Sequence, residues 1–270
     1  MPDVPLSQNF ERPPVVETSL ELQFTPLADF RLAHYGLFLG ECLGAGWQVR
    51  EDANADAQEY ERFGSKSLLP SVKVDMVDPP YQARFVRAEG GRVVSFQPNK
   101  LQLSWVRQEG QDPRYAEMRD QMAQLFASLR RFAERYSLSI PIPNFWGISY
   151  LNAVPAGDLW TTPADWHKVM PGLFPTEGPK VVDHAWGTFA GEWFFDMPGR
   201  VGRVRVKAQK VVANPGETIA LLLKVSARGE LSEDMAEDWV TRLGLGHDSA
   251  SIVFRGLASP DALAHWGIRA

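Results

Sequence analysis

The chain has 270 residues, 44% apolar and 23% charged, an ordinary balance for a globular protein with a sizeable core. Its net charge of −5 argues against a general nucleic-acid-binding protein, and nucleic acid is not expected as a partner. The lone Cys42 excludes an internal disulfide and a cysteine metal cage. With no signal peptide or membrane-length apolar run, these features predict a cytoplasmic protein without a membrane partner.

The first predicted element is a strand near the start, which the rest of the chain is expected to be organised around. Residues 13–30 read PPVVETSLELQFTPLADF, where two prolines set an extended entry. Apolar and polar residues then alternate, which predicts a strand over Val15–Phe24 with one face buried and one wet. Asp29 is expected to cap a helix over Asp29–Cys42. Met1–Arg12 is expected to be a loosely ordered arm.

An antiparallel meander and a long helix are predicted next. Strands are expected over Tyr81–Arg87, Arg92–Gln97 and Leu101–Trp105, with a hairpin signal at Glu89-Gly90-Gly91. Asp112-Pro113 is a helix-start signal. Apolar side chains then recur at helical spacing and predict an amphipathic helix packed on the sheet: Tyr115, Met118, Met122, Leu125, Phe126, Leu129, Phe132, Ala133 and Tyr136.

The second half is predicted to add strands and a final helix. Ile140-Pro141-Ile142-Pro143 marks a crossover, and GISYLNAV begins a new strand. A long irregular segment, Pro155–Pro179, precedes a second meander over Asp183–Met197, Val201–Val212 and Glu217–Arg228. The last helix begins at Ser232, and Gly244 and Gly246 are expected to bend or divide it.

These elements predict an α+β fold. A mostly antiparallel sheet is built from two meanders, with the long amphipathic helix and the C-terminal helix packed on one face. Residues 13–270 are expected to form a single domain. Two subdomains divided near residues 138–144 are the alternative.

Four segments together resemble the TIGR04255 family, a sporadically distributed group of uncharacterised prokaryotic proteins. They are PPVVETSLELQFTPL, RVVSFQPNKLQLSW, GISYLNAV and SIVFRGLASPDALAHWG, in the family's order and spanning nearly the whole chain. The chain departs from the family in having Ser149 where an arginine is usual, and Gly244 and Gly246 in the last helix. Because the family has no established activity, the resemblance implies no catalytic residues.

No catalytic residue, metal ligand or cofactor is predicted from motifs. The five histidines are scattered without ligand spacing. No nucleophile elbow is present, and Cys42 lies within an apolar helix pattern. Glu17 and Glu21 share one face of the first strand but lie roughly 13 Å apart, too far for a carboxylate pair acting on one glycosidic bond.

The candidate binding residues are charged side chains and two tryptophans. Arg203, Arg205 and Lys207 project to one face of a strand and need a counter-charge. Glu17 and Glu21 are expected to supply it within the sheet; an acidic ligand, phosphate or partner surface is the alternative. Trp160 and Trp166 lie in the irregular segment and are expected to cover either the protein's own sheet or another chain, in which case a twofold homodimer is expected.

Two functions remain open at this point. The first is a non-enzymatic interaction protein that acts through protein partners, with an immunity- or antitoxin-like role as one form of it. The second is an enzyme or small-molecule-binding protein with an anionic-ligand pocket between sheet and helices. The sequence favours the first, because it carries no catalytic motif.

Overall fold

Every described range of the chain contributes at least one strand to a single sheet. The computed structural model describes residues 11–50, 82–108, 114–174, 190–212 and 219–268. Within these ranges a single nine-stranded sheet forms, and every pair of neighbouring strands is antiparallel. Helices cover one face of it, so the predicted α+β architecture is confirmed.

The strands follow the order β2-β3-β4-β5-β1-β6-β9-β8-β7. Their bounds are β1 Val15–Phe24, β2 Trp47–Arg50, β3 Ala83–Arg87, β4 Arg92–Gln97, β5 Lys100–Val106, β6 Pro143–Pro155, β7 Ala190–Asp196, β8 Arg203–Val212 and β9 Ile219–Glu230. The two predicted meanders, β3-β4-β5 and β7-β8-β9, are present. β1 and β6 lie between them, so the proline-rich crossover leads into the centre of one continuous sheet.

The helices are α1 Leu32–Phe38, continued by a π-helical turn Leu39–Leu43, then α2 Tyr115–Arg135, α3 Trp166–Val169, α4 Trp239–Leu257 and α5 Pro260–His265. In the described ranges, no helix combines the length and apolar character needed to cross a membrane.

Helix α2 covers the apolar face of the central strands as its periodicity predicts. Its buried positions are Met118, Met122, Leu125, Phe126, Leu129, Phe132 and Ala133. They join the core with Leu20 and Leu22, the inward residues of β1. Alternation along β1 therefore points Glu17, Ser19 and Glu21 to the opposite face of the sheet, away from α2.

Helix α4 approaches β6 closely through a glycine. A Cβ atom at Gly246 would lie 2.4 Å from Cζ3 of the fully buried Trp146 and 3.1 Å from Cγ2 of Ile148. The lack of a side chain at Gly246 thus leaves room for the Trp146 indole. The expectation that Gly244 and Gly246 divide this helix is wrong, since α4 is continuous from Trp239 to Leu257.

Two local predictions differ from the structure. Asp29 has φ 61° and does not cap a helix; the first helix begins later, after Arg31. Strand β2 was not predicted, because four residues are too few to show a period of two. The predicted helix start at Asp112-Pro113 and the arm Met1–Arg12, except its last two residues, lie outside the described ranges.

Candidate functional site

Among the described residues, the face of the sheet opposite the helices carries a depression of about 420 Å³. It crosses five neighbouring strands in the order β5, β1, β6, β9 and β8. We call it the trough. Its polar and charged lining residues are Glu17, Ser19, Glu21, Lys100, Gln102, Ser149, Arg205, Lys207, Lys224, Ser226 and Arg228, and its remaining lining residues are Phe145, Gly147, Ile148, Leu151 and Ala227.

Short side chains form the floor of the trough. The strand register places serines on four adjacent strands in one row, where Ser104 is opposite Ser19, Ser19 is opposite Ser149, and Ser149 is opposite Ser226. The hydroxyl oxygens of Ser19 and Ser104 are 2.7 Å apart and hydrogen-bonded. Gly147 lies next to this row between Glu21 and Arg228. Because these residues are small, the longer charged side chains that surround them form the sides of the trough.

The β1 side of the trough is acidic but partly neutralised. Glu21 forms an ion pair with Lys100 at 3.3 Å and accepts a hydrogen bond from Gln23 Nε2 at 2.8 Å. Glu17 accepts a hydrogen bond from the Ser19 hydroxyl at 2.9 Å. Among the described residues, no ion pair neutralises Glu17, which lines the trough beside the serine row.

The β8–β9 side is basic, and its cations face one another. Arg203 is the direct cross-strand neighbour of Arg228, and Lys207 of Lys224. Like charges in directly opposite positions destabilise a sheet. The trough lining as a whole has five cations against two carboxylates, an excess of three positive charges in a chain whose net charge is −5.

Strand β7 supplies counter-charges to β8. Arg205 forms an ion pair with Glu192, and Lys207 approaches the same carboxylate at 3.6 Å. Arg203 pairs with Asp196 at 2.9 Å. Burial acts to raise the pKa of Glu192, but the hydrogen bond from Arg205 and the nearby positive charges lower it overall. The carboxylate is therefore held ionised beside the two cations.

The source of the counter-charge differs from the prediction. Glu17 and Glu21 were expected to neutralise Arg203, Arg205 and Lys207, but β6 and β9 separate β1 from β8. The carboxylates in contact with the β8 cations come from β7 instead. Glu17, Glu21, Arg205 and Lys207 nevertheless line one trough, and Arg203 adjoins it on the same face of β8.

The two candidate tryptophans lie elsewhere and are buried. Trp160 is 2% exposed and Trp166 is fully buried. Their rings pack edge to face with centroids 5.7 Å apart, and Trp160 Nε1 donates to the Val154 carbonyl at 3.1 Å. Both tryptophans pack inside the protein and cover its own sheet, so they are not exposed to a partner. The homodimer thereby loses the observation that motivated it.

Sequence reasoning missed Lys100, Ser149, Lys224, Ser226 and Arg228. A signal for three of them was present, because Lys224, Ser226 and Arg228 alternate with Val225 and Ala227. Ser149 could not be recognised, since only the strand register shows that it shares a row with other serines.

A second polar cluster lies among the helices. His247 stacks on Tyr115 with ring centroids 4.1 Å apart, and its Nδ1 lies 2.6 Å from the Tyr150 hydroxyl. Burial lowers the pKa of His247 and raises that of Tyr150. In the described ranges, no group of three or more histidine, cysteine, aspartate or glutamate side chains is arranged to hold a metal ion.

No family model and no curated protein matches the chain. The resemblance to the TIGR04255 family stays a prediction.

Proposed function

We propose that this protein is a binding protein that docks an acidic segment of a protein partner in the trough. The observation that carries the proposal is the like-charged cross-strand pair Lys207 and Lys224, of which Lys224 forms no ion pair among the described residues. Their mutual repulsion is relieved when an anionic group lies between the strands. The trough lining is positively charged although the chain as a whole is acidic, so it attracts an anionic partner segment and orients its approach.

The shape of the trough favours a chain segment over an enclosed small molecule. Five strands at about 4.8 Å spacing make it roughly 19 Å long. A volume of about 420 Å³ spread over that length is a shallow, narrow channel. An extended peptide of about six residues covers the same length.

A small anionic ligand is the second candidate, because about 420 Å³ also falls in the range of small-molecule sites. A pocket between the sheet and the helices was expected for such a ligand. The trough instead lies on the opposite face of the sheet, so a small anionic ligand would bind there.

The test measures binding of fluorescently labelled hexaglutamate by anisotropy at low salt. The double variant Lys207→Glu/Lys224→Glu is expected to reduce the affinity at least tenfold, since four charge units change on the trough. The matched control, Arg119→Glu, changes a cation on α2 on the other side of the sheet and is expected to have less than a twofold effect. Equal affinities for the wild type and the double variant would refute the proposal. Competition by inorganic pyrophosphate that is tenfold more effective per charge than competition by hexaglutamate would favour the small ligand.

A further inference from the structure

Two opposite charges in the trough face each other across an apolar side chain. Glu17 on β1 is opposite Leu151 on β6, and Leu151 is opposite Lys224 on β9. Glu17 accepts the hydrogen bond of the Ser19 hydroxyl, and Lys224 is exposed. Among the described residues, neither forms an ion pair, whereas Glu21, Arg205 and Lys207 all do.

We infer that the trough binds a dipolar segment, with a cationic group over Glu17 and an anionic group between Lys224 and Lys207. This inference rests on the proposed function and adds the polarity of the partner to it. Leu151 is half-buried between the two charges and offers an apolar surface for the part of the segment that joins them.

The spacing of the strands fixes the spacing of the charges on the partner. From β1 to β9 is two strand intervals, about 10 Å, and from β1 to β8 is three, about 14 Å. In an extended peptide, residues four apart are about 13 Å apart and point to the same side. The partner segment therefore carries a lysine or arginine and, four residues away, an aspartate or glutamate.

Ion pairs at the rim of an open surface are weak individually. Each one contributes about twofold to fivefold in affinity. The dipolar arrangement nonetheless gives the trough a preferred direction for the peptide, because reversal places like charges together at both ends. The peptide is thus expected to lie across the strands in one orientation.

The experiment uses the full chain and two labelled peptides of equal composition. One is Lys-Ala-Ser-Ala-Glu, with its charges four residues apart; the other is Ala-Lys-Glu-Ser-Ala, with adjacent charges. Both have blocked ends. The first is expected to bind about threefold to tenfold more tightly, since only it reaches both sites.

Glu17→Gln separates this inference from the proposed function, because it removes one negative charge while keeping the acceptor for Ser19. It is expected to weaken Lys-Ala-Ser-Ala-Glu about threefold and to strengthen hexaglutamate by a similar factor. The control Glu117→Gln, on the exposed face of α2, is expected to alter neither.

Each outcome decides one of the two proposals. If Glu17→Gln strengthens both probes, or if the two pentapeptides bind equally, the dipolar inference is overturned while an acidic partner remains. If hexaglutamate binding is insensitive to Lys207→Glu/Lys224→Glu, the proposed function itself fails. Lys224→Gln provides an independent check, because it is expected to weaken both probes, and a variant that leaves both unchanged contradicts the inference.

Discussion

The Tyr150 hydroxyl is hydrogen-bonded to Nδ1 of His247 at 2.6 Å, which ties the centre of the sheet to helix α4. The imidazole is held from its other side by the ring of Tyr115, tilted by only 7° from parallel. Burial lowers the pKa of His247; the charge of Asp248 opposes that shift and the charge of Arg255 supports it. The folded state therefore favours the neutral imidazole.

The first prediction is a loss of stability in mild acid. Since the pKa of His247 is lower in the folded state, the unfolded chain binds the proton first as the pH falls. The stabilisation is fully present above the ordinary histidine pKa of 6.5 and is lost as the pH falls through the folded value. Urea unfolding at about pH 7.5 and about pH 5.5 measures the slope. His247→Gln is expected to have a shallower slope, and an unchanged slope would contradict the assignment.

The second prediction concerns the close approach of α4 to Trp146. Gly246→Ala is expected to lower the free energy of unfolding by about 1–3 kcal/mol, since its methyl group would overlap an indole that has no room to move. Gly256→Ala in the same helix meets nothing within 4 Å and is expected to stabilise the protein by up to about 1 kcal/mol. Stabilisation by both variants would show that helix propensity, and not the contact with Trp146, decides.

The third prediction follows from the burial of Trp160. Trp160→Ala is expected to lower the free energy of unfolding by about 3–5 kcal/mol, because it opens a cavity and removes the hydrogen bond to Val154. The sedimentation coefficient of the folded variant is expected to equal that of the wild type at the same concentration. Phe194→Ala, at a side chain that is 49% exposed, is the control and is expected to cost far less. A change in association state in the Trp160 variant alone would restore this residue as an interface residue.

The fourth prediction is that Cys42 is unreactive in the folded protein. Burial, with a smaller contribution from the charge of Glu41, raises the pKa of its thiol to about 12. Because the thiolate is the reactive form, alkylation by iodoacetamide near neutral pH is expected to be slow until the protein unfolds. Cys42 is the only cysteine in the chain, so mass spectrometry reports this site directly. Rapid labelling without denaturant would refute the prediction.

The fifth prediction concerns the carboxylate that β7 places beside the trough. Glu192→Gln removes the counter-charge of Arg205 and Lys207 and is expected to strengthen hexaglutamate binding about twofold to fivefold. A weakened affinity would mean that Glu192 chiefly positions Arg205. Circular dichroism of the variant verifies that the sheet is retained.

Alternation along single strands made much of this architecture predictable. The polarity of β1 follows from Glu17, Ser19 and Glu21, and the buried stripe of α2 follows from its helical spacing. The order of strands is a non-local property that no single segment encodes. For this reason the partners of Arg205 and Lys207 were assigned to β1, although β6 and β9 lie between β1 and β8.

The candidate site was predictable in part for the same reason. Arg205, Lys207, Glu17 and Glu21 were found because each lies in a strongly alternating segment. The serine row and the facing Lys224 depend on register, which is set by pairing between strands distant along the chain. The burial of Trp160 depends on how an irregular segment folds back on the sheet, for which periodicity gives no information.

The central position of β1 has a consequence for how the chain is made. This strand is synthesised before both of its partners. On one side Ser19 pairs with Ser104, 85 residues later, and on the other side β6 lies later still. An amphipathic strand with both edges unpaired therefore persists during synthesis, and such a strand pairs readily with other chains. Closing the sheet requires contacts of large sequence separation, which places this protein among slow folders.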